Sequence, residues 1–356
     1  MAMFSGNLMA GPTEQDSLRA VLRDYLAERA PVTAALTDPG RTRAFAAAFE
    51  PAGLLVPAEL GGAGGSATDA VAVAAESGRA LLGGEIIAQL LATTAVVAAP
   101  PGEERDDALT ALASGAATAT TPVWTTPRCP EVSETVLGAF PVSHVVGFDC
   151  SSGDLRVVWA EIGPDSVEVL GGMDPTRPLG RISPDVLSAG AELARGDEAE
   201  AALSRYVAFG RAAIAAEQVA GARHCVELTV EYAGQRTQFG VAIATFQAVK
   251  HTCATMHIDT TEAEALVALA TAAAGEPGPH AARLAAQAKA LASEAFVSVA
   301  RSAIEIHGGI GFAWEHPVQL FYKRALVTAV YFGRPDDLYA SVLTSSNATE
   351  SGIAAN

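Results

Sequence analysis

The stretch AEQVAGARHCVELTVEYAGQRTQFGVAIATFQAVKHTCATM, residues 216–256, decides the fold because it predicts two long helices joined by a turn. Its first part is rich in alanine, the strongest helix former, and the turn RTQFG carries a glycine that interrupts helical structure. Helical periodicity then resumes. We predict long helices over 199–234 and 243–273, followed by helices over 279–307 and 335–345.

The first third of the chain is also predicted to be helical, with a glycine-rich loop at 56–66. Its helices are expected at 14–29, 41–50, 67–82, 85–98 and 103–114. Between 119 and 198, short alternating apolar runs such as LRVVWAEI are broken by Pro, Gly and Ser clusters, which is typical of strands. We therefore predict a mainly α fold with a small β domain: an N-terminal helical domain at 1–118, a middle β domain at 119–198 and a C-terminal helical bundle at 199–356.

Composition excludes several classes of protein. The chain has 356 residues and a net charge of −17, which argues against nucleic acid or an anionic membrane surface as partner. Its longest apolar run, at 86–99, is too short to span a bilayer, and the first residues lack a secretory signal pattern. The four cysteines, Cys129, Cys150, Cys225 and Cys253, show no metal-ligand spacing, so we expect reduced thiols in a cytoplasmic protein.

Motifs of other enzyme classes are missing from the sequence. There is no Gly-x-Ser-x-Gly elbow, no Walker loop and no His-Glu-x-x-His zinc motif. His251 and His257 lie too far apart around a helix to share one metal ion. We predict no metal site, and we expect His224, His307 and His316 to be structural.

Four stretches, taken together and in order, resemble the acyl-CoA dehydrogenase family. They are FEPAGLLVPAELGGAGGSATDAVAVAAESGRAL at 49–81, MDPTRPLG at 173–180, the opening stretch at 216–256, and EIHGGIGFAWEHPVQLFYKRA at 305–325. The resemblance implies an N-terminal helical domain, a middle β-barrel, shortened here, and a C-terminal four-helix bundle through which subunits associate. It also implies FAD as cofactor and desaturation of an acyl-CoA thioester between Cα and Cβ.

The family places its base glutamate at one of two positions, and neither holds an ionisable residue here. One is the turn Tyr-Glu-Gly-Thr, matched by Tyr331-Phe332-Gly333-Arg334; the other precedes a helical arginine and is matched by Gly210-Arg211. We therefore predict no catalytic residue. Phe332 is interpreted as a core or interface aromatic, or more sharply as the filling of a closed pocket. The nearby carboxylates are expected on solvated helix faces: Glu217, Glu227, Glu231, Glu262 and Glu264.

The flavin-binding pattern of the family is present only in part. Its Thr-Glu-x-x-x-Gly-Ser-Asp segment does not follow residues 109–120, and Trp124 and Trp159 stand in contexts unlike the family's tryptophan strand. The part that holds the ADP moiety of a neighbouring subunit's flavin is matched, in the resemblance, by Arg236, Gln238, Phe239, Gln247, Glu305, Ile306, His307, Gly308 and Gly309. Two alternatives stay open: Arg236 forms a surface ion pair, and the glycines only end a helix.

The resemblance therefore predicts a catalytically degenerate subunit of a heteromeric acyl-CoA dehydrogenase. A second subunit, expected in an α2β2 assembly, would carry the glutamate and share FAD across the interface. The substrate would be an acyl-CoA, with a steroid side-chain thioester as the implied class, and electrons would leave through an electron-transfer flavoprotein. Two other interpretations remain: a homomeric dehydrogenase with an unrecognised base, and a flavin-free binding or scaffold protein.

Overall fold

Helix and strand positions follow from a computed structural model, which describes residues 14–38, 40–123, 134–138, 141–150, 153–163, 165–183, 185–274 and 278–353. Helices form both ends of the described part of the chain and strands form its middle, so the predicted α–β–α order is confirmed. The exact domain boundaries stay predictions. The N-terminal helices are α1 (Glu14–Arg29), α2 (Gly40–Phe49), α3 (Ala67–Arg79), α4 (Gly84–Ala98) and α5 (Glu103–Ala113).

The middle of the chain forms two small sheets within the described residues. One has the order β1-β3-β4-β7, in which β1 runs parallel to β3 and the other pairs are antiparallel; the second has the antiparallel order β2-β6-β5. A short helix, α6 (Asp185–Ser188), precedes the last strand. The strands are β1 (Ala119–Thr120), β2 (Thr135–Leu137), β3 (His144–Asp149), β4 (Arg156–Glu161), β5 (Glu168–Leu170), β6 (Leu179–Arg181) and β7 (Ala191–Arg195).

The C-terminal part is built around one helix of 39 residues, α7 (Asp197–Gln235), which packs against the next two long helices. A small hairpin follows it, formed by β8 (Thr237–Gln238) and β9 (Val241–Ala242). The remaining helices are α8 (Gln247–Ala273), α9 (Pro279–His307), α10 (Val318–Thr328) and α11 (Pro335–Ile353). Helix α8 begins later than predicted because residues 243–245 form a 3-10 turn, and the sequence analysis did not predict α10.

Local sequence signals explain where several helices start. Ser66 caps α3, since its hydroxyl accepts from the Asp69 amide while the Asp69 carboxylate accepts from the Ser66 amide. Pro279 opens α9, a position that proline favours because its missing N–H would have no partner there. These signals set the ends of elements whose apolar faces form the core.

The N-terminal domain and the C-terminal bundle meet where α3 crosses α7. A β-carbon added to Gly78 on α3 would lie 2.4 Å from Cγ of Glu217, so only glycine permits this close approach. The result is one continuous apolar core that includes residues from both helical regions and from the strands.

Two sequence expectations concern membranes and thiols. No helix within the described ranges combines the length and the hydropathy needed to cross a membrane. Cys225 and Cys253 are free thiols, whereas Cys129 and Trp124 lie outside the described residues. Burial raises the pKa of the Cys225 thiol, which makes it an inert core residue.

Candidate functional site

The two positions at which the family resemblance expects a glutamate lie in contact with each other. Gly210 is in α7 and Phe332 lies in the turn between α10 and α11. A β-carbon built on Gly210 would lie 2.7 Å from Cζ of Phe332, which means that the ring occupies the space of a side chain at 210. Phe332 is fully buried, so its interpretation as a core aromatic is confirmed.

Phe332 packs against Tyr206, which connects it to the middle domain. Its ring makes an edge contact with Tyr206, at 5.7 Å between centroids, and Tyr206 packs on Phe148 of β3 at 5.0 Å. The Tyr206 hydroxyl lies 3.0 Å from Oγ1 of Thr121 and donates to the carbonyl of Pro122 at 3.2 Å. Because the hydroxyl is hydrogen-bonded to the β domain, this aromatic group joins that domain to α7.

The backbone around Phe332 is unusual for a residue with a side chain. Phe332 has φ of 57°, in the left-handed region that favours glycine, and Gly333 follows with φ of 113°. Arg211 supports the turn, since its Nε donates to the carbonyl of Phe332 at 3.1 Å. Burial lowers the pKa of the Arg211 guanidinium to about 10. The arginine thus holds the turn through its main chain.

A buried cluster of four charged residues lies close to this turn. Arg177 donates to Glu217 with two N–H groups, and one of these bonds measures 2.9 Å. Arg324 donates to Glu217 at 2.8 Å and also to Asp174, and all four side chains are almost fully buried. Burial opposes ionisation of Asp174, yet Arg324 and Thr176 hold its pKa below the ordinary value. The expectation that Glu217 lies on a solvated face is therefore wrong.

The cluster explains why three separate stretches carry charges that sequence reasoning did not place in the core. Asp174 and Arg177 belong to MDPTRPLG, Glu217 to the stretch at 216–256, and Arg324 to the one at 305–325. A charged residue inside an otherwise apolar helical segment was the signal available in the sequence. Two arginines and two carboxylates balance each other, which is the condition under which buried charges persist.

The other four carboxylates in the predicted set lie nearer the surface. Glu231 is exposed, and Glu262 is exposed on α8. Glu227 pairs with Arg79, and Glu264 accepts from Nε of Arg223 at 2.9 Å. The Arg79 and His224 contacts lower the pKa of Glu227 to about 2, against the opposing effect of burial. None of these four carboxylates is adjacent to Phe332 in the described hydrogen-bond network.

A second group of predicted residues lies on the surface at the end of α7. Arg236, Gln238 and Gln247 are exposed, and among the described residues the Arg236 guanidinium has no hydrogen-bond or ion-pair partner. Phe239 is 93% exposed, with φ of 53°, and makes an edge contact with Phe246 at 6.2 Å. The turn therefore presents an unpaired cation beside an uncovered aromatic ring.

The stretch 305–309 reaches the same end of the bundle through Tyr232. The Tyr232 ring stacks on His307 at 4.4 Å, and its hydroxyl donates to the His307 carbonyl at 3.3 Å. The His307 side chain is buried and its Nδ1 donates to the carbonyl of Ala303 at 2.7 Å, while burial lowers its pKa. This confirms a structural role for the His307 ring. Tyr232 was missed, although it stands one helical turn before Arg236.

The remaining residues of that stretch face outward or close the helix. Glu305 is exposed and accepts from Nε of Arg301 at 3.0 Å, whereas Ile306 is partly buried. Gly308 ends α9 with φ of 62°, and a β-carbon on Gly308 or Gly309 would meet no atom within 4 Å. The glycine pair therefore ends a helix and also leaves open space in front of its backbone.

Metal binding has no support within the ranges that the structure describes. No group of three or more His, Cys, Asp and Glu side chains lies close enough there to hold a metal ion. The His307 and His316 rings lie 4.6 Å apart between centroids in a tilted arrangement, and burial lowers the pKa of both. The pair is therefore part of the packing at the end of α9.

Comparison with known protein families shows to which family this chain belongs. The acyl-CoA dehydrogenase N-terminal domain model matches residues 12–116, and the acyl-CoA dehydrogenase C-terminal domain model matches residues 199–337. The chain belongs to the acyl-CoA dehydrogenase family. Its family places it among flavin-dependent oxidoreductases that act on CH–CH bonds.

Similar acyl-CoA dehydrogenases are known in mycobacteria. Acyl-CoA dehydrogenase IpdE2 of Mycobacterium tuberculosis is 33% identical over 349 residues, which cover 93% of this chain and 96% of that protein. Acyl-CoA dehydrogenase FadE34 of the same organism is 32% identical over 281 residues, covering 77% of this chain and 37% of the relative. The first relative matches nearly end to end, so the whole chain is an acyl-CoA dehydrogenase homologue.

Solved structures share the fold at lower sequence identity. A variant of the Tcur3481–Tcur3483 steroid acyl-CoA dehydrogenase superposes with a TM-score of 0.80 at 21% identity, covering 94% of this chain and 99% of that one. The ChsE4–ChsE5 complex from Mycobacterium tuberculosis gives a TM-score of 0.78 at 20% identity, covering 95% and 98%. Both likenesses confirm the acyl-CoA dehydrogenase fold from the first domain to the last.

Proposed function

We propose that this chain is the non-catalytic subunit of a heteromeric acyl-CoA dehydrogenase, in which a partner subunit supplies the glutamate base. The contact between Phe332 and Gly210 carries this proposal. Removal of an α-proton needs a base in reach of the substrate, and an aromatic ring packed on a glycine offers no ionisable group at either family position. Burial of the ring also leaves no room there for an acyl chain.

The surface at 236–247 and 305–309 supports a role in completing the partner's cofactor site. The unpaired Arg236 suits a pyrophosphate oxygen, and Gln247 is the first residue of α8, where main-chain N–H groups favour anions. Gly308 and Gly309 leave open space for close approach, and Phe239 supplies an apolar face. These residues fit the ADP end of FAD, which when bound supplies the hydride acceptor for desaturation.

The stretch expected to contact the flavin ring lies largely outside the described residues, at 124–133. The fit of this chain to FAD therefore rests on the ADP-binding residues. Glu305 does not exclude it, because Arg301 already pairs with that carboxylate. We propose that FAD is shared across the interface, with the ring held by the partner.

The exposed apolar residues at this end of the bundle support association through it. Phe312 is 73% exposed and Trp314 is 62% exposed, in the segment that follows Gly308 and Gly309, and Phe239 is uncovered in the hairpin after α7. Large apolar side chains of this kind mark interaction surfaces when they lie together. We propose an α2β2 assembly in which these residues face the partner subunit.

For the substrate, we propose an acyl-CoA thioester with a steroid side chain, as the resemblance to heteromeric steroid enzymes implies. The near full-length match to IpdE2 supports an acyl-CoA thioester, and the fold shared with a steroid acyl-CoA dehydrogenase supports the steroid side chain. Electrons would pass from the complex to an electron-transfer flavoprotein.

The deciding experiment expresses the full-length chain alone and together with a glutamate-bearing acyl-CoA dehydrogenase subunit from the same organism. We expect no flavin absorbance and no dye reduction from the chain alone, and flavin with turnover of a steroid acyl-CoA from the mixture. Flavin and turnover from the chain alone would contradict the proposal. A mixture that holds no flavin and shows no turnover would favour a scaffold protein instead.

Assembly is tested with a matched pair of surface variants. Phe239→Asp should prevent co-purification with the partner, because a charge would be buried in the interface. Val169→Asp is the control, since Val169 is also exposed, at 64%, but lies in β5 of the middle domain. Equal co-purification of both variants would show that the hairpin after α7 is not part of the interface.

A further inference from the structure

A cavity of about 480 Å³ lies between the N-terminal helices and the C-terminal bundle. Its walls come from α1, α3, α7 and α8, and neither Gly210 and Phe332 nor the surface around Arg236 contributes to it. Cavities of roughly 300–1,000 Å³ hold small-molecule ligands in proteins. The cavity is therefore large enough for a small organic molecule. It is separate from the predicted base positions and from the proposed cofactor surface.

The cavity has an apolar floor made by two helices. Ala216, Val219 and Ala220 lie on one face of α7, at the three- and four-residue spacing that aligns side chains along a helix. Val267 and Ala268 face them from α8. Because these side chains are short, the helices enclose a space that an apolar group can fill.

Four arginine side chains also line the cavity. Arg19, Arg23, Arg79 and Arg223 all contribute, in a chain with 23 basic residues and a net charge of −17. Three of them are paired: Arg23 with Glu76 at 2.6 Å, Arg223 with Glu264, and Arg79 with Glu227. The four arginines therefore carry one positive charge more than their three paired carboxylates neutralise.

The remaining charge is Arg19. It forms no ion pair with any of the described residues, and its Nε is buried without a hydrogen-bond partner. Leaving a buried donor unsatisfied destabilises the folded state, so an acceptor oxygen in the cavity would be favoured. A guanidinium presents parallel N–H donors that match the two oxygens of a carboxylate.

We propose that this cavity binds an amphipathic carboxylate, with its apolar body on the α7–α8 floor and its carboxylate accepting hydrogen bonds from Arg19. One uncompensated positive charge matches a monoanionic head group. The ligand would contact both helical regions and would stabilise the chain against unfolding in proportion to its occupancy. This proposal does not depend on the proposed function, because it uses neither the base positions nor the cofactor surface.

Isothermal titration calorimetry of the full-length chain with decanoate tests the proposal, with decan-1-ol as the uncharged probe of the same length. We expect saturable binding of decanoate at one site and binding of decan-1-ol at least tenfold weaker. Arg19→Gln should weaken decanoate binding at least tenfold. Arg29→Gln is the matched control, since Arg29 is in the same helix, is 66% exposed at its side chain and does not line the cavity.

A second variant tests the apolar floor. Ala220→Phe would place a ring in the cavity and should abolish decanoate binding while the circular dichroism spectrum stays unchanged. The proposal is overturned if the unmodified chain shows no saturable binding. It is equally overturned if decanoate and decan-1-ol bind alike, or if Arg19→Gln binds decanoate as tightly as the unmodified chain.

Discussion

Cζ of Phe332 lies 2.7 Å from the point that a β-carbon on Gly210 would occupy. The two residues stand far apart in the sequence and each matches a position where acyl-CoA dehydrogenases carry a glutamate. Because they are in contact, the absence of a glutamate at one position is compatible with its absence at the other. The glycine makes room for the ring, and the ring fills the space that a side chain at 210 would occupy.

Restoring a glutamate at position 210 should therefore destabilise the chain and produce no dehydrogenase activity. Gly210→Glu would force a side chain against a buried ring, and overpacking of this kind costs about 1–3 kcal/mol before the burial of a charge is added. Denaturant unfolding and dye reduction measure the two effects. Gly234→Glu, in the last turn of α7 where a β-carbon meets no atom within 4 Å, is the control. Turnover by Gly210→Glu alone would contradict the prediction.

Arg236→Ala should lower the flavin content of the assembled complex without separating its subunits. The reason is that an exposed guanidinium with no partner among the described residues supplies charge to an anion and little to folding. Flavin absorbance per complex and size-exclusion chromatography are the measurements. Arg205→Ala changes another exposed arginine, in the helix α7 that ends just before Arg236, and should leave the flavin content unchanged. If the flavin content of Arg236→Ala were unaltered, Arg236 would not be part of the cofactor site.

Glu217→Gln should reduce the free energy of unfolding by about 3–5 kcal/mol, because it leaves Arg177 and Arg324 buried with only one carboxylate between them. Denaturant unfolding at neutral pH gives the value. Glu231→Gln changes an exposed carboxylate of the same helix and should cost less than about 1 kcal/mol. Equal losses in the two variants would show that the buried cluster contributes nothing specific.

Lys289 should make stability depend on pH in the alkaline range. Burial, reinforced by the charge of Arg211, lowers the pKa of Lys289 to about 7 from 10.5, while its Nζ donates to Ser293 at 2.7 Å. Between these two values the unfolded chain binds more protons than the folded one, so stability contributed at this site rises with pH.

The measurement compares unfolding free energies of the unmodified chain and Lys289→Met from pH 7 to pH 10.5. The unfolding free energy of the unmodified chain should increase relative to that of Lys289→Met as the pH rises. Lys250→Met, an exposed position in α8, should show no such trend. A flat difference for Lys289→Met would mean that the lysine is charged in the folded state throughout this range.

Much of the fold was predictable because its signals are local. Helical periodicity, the glycine turn in RTQFG and the alternating run in β4 each reflect the preferences of neighbouring residues, and they led to the correct α–β–α order. Helix α10 was missed because its buried Arg324 interrupts the apolar pattern. Glu217 was assigned to the surface for a related reason: periodicity alone cannot show that two distant arginines neutralise it.

The sequence by itself determined which chemistry is missing. A phenylalanine and a glycine at the family's two base positions cannot take a proton in any conformation, and the loss is visible in the residue types. Only the tertiary structure decided that the two positions touch, that four distant charges neutralise one another in the core, and that an unpaired Arg19 lines a cavity with an apolar floor. Such relationships depend on distances between residues far apart in the chain, and those distances are set by the packing of α3, α7 and the helices around them.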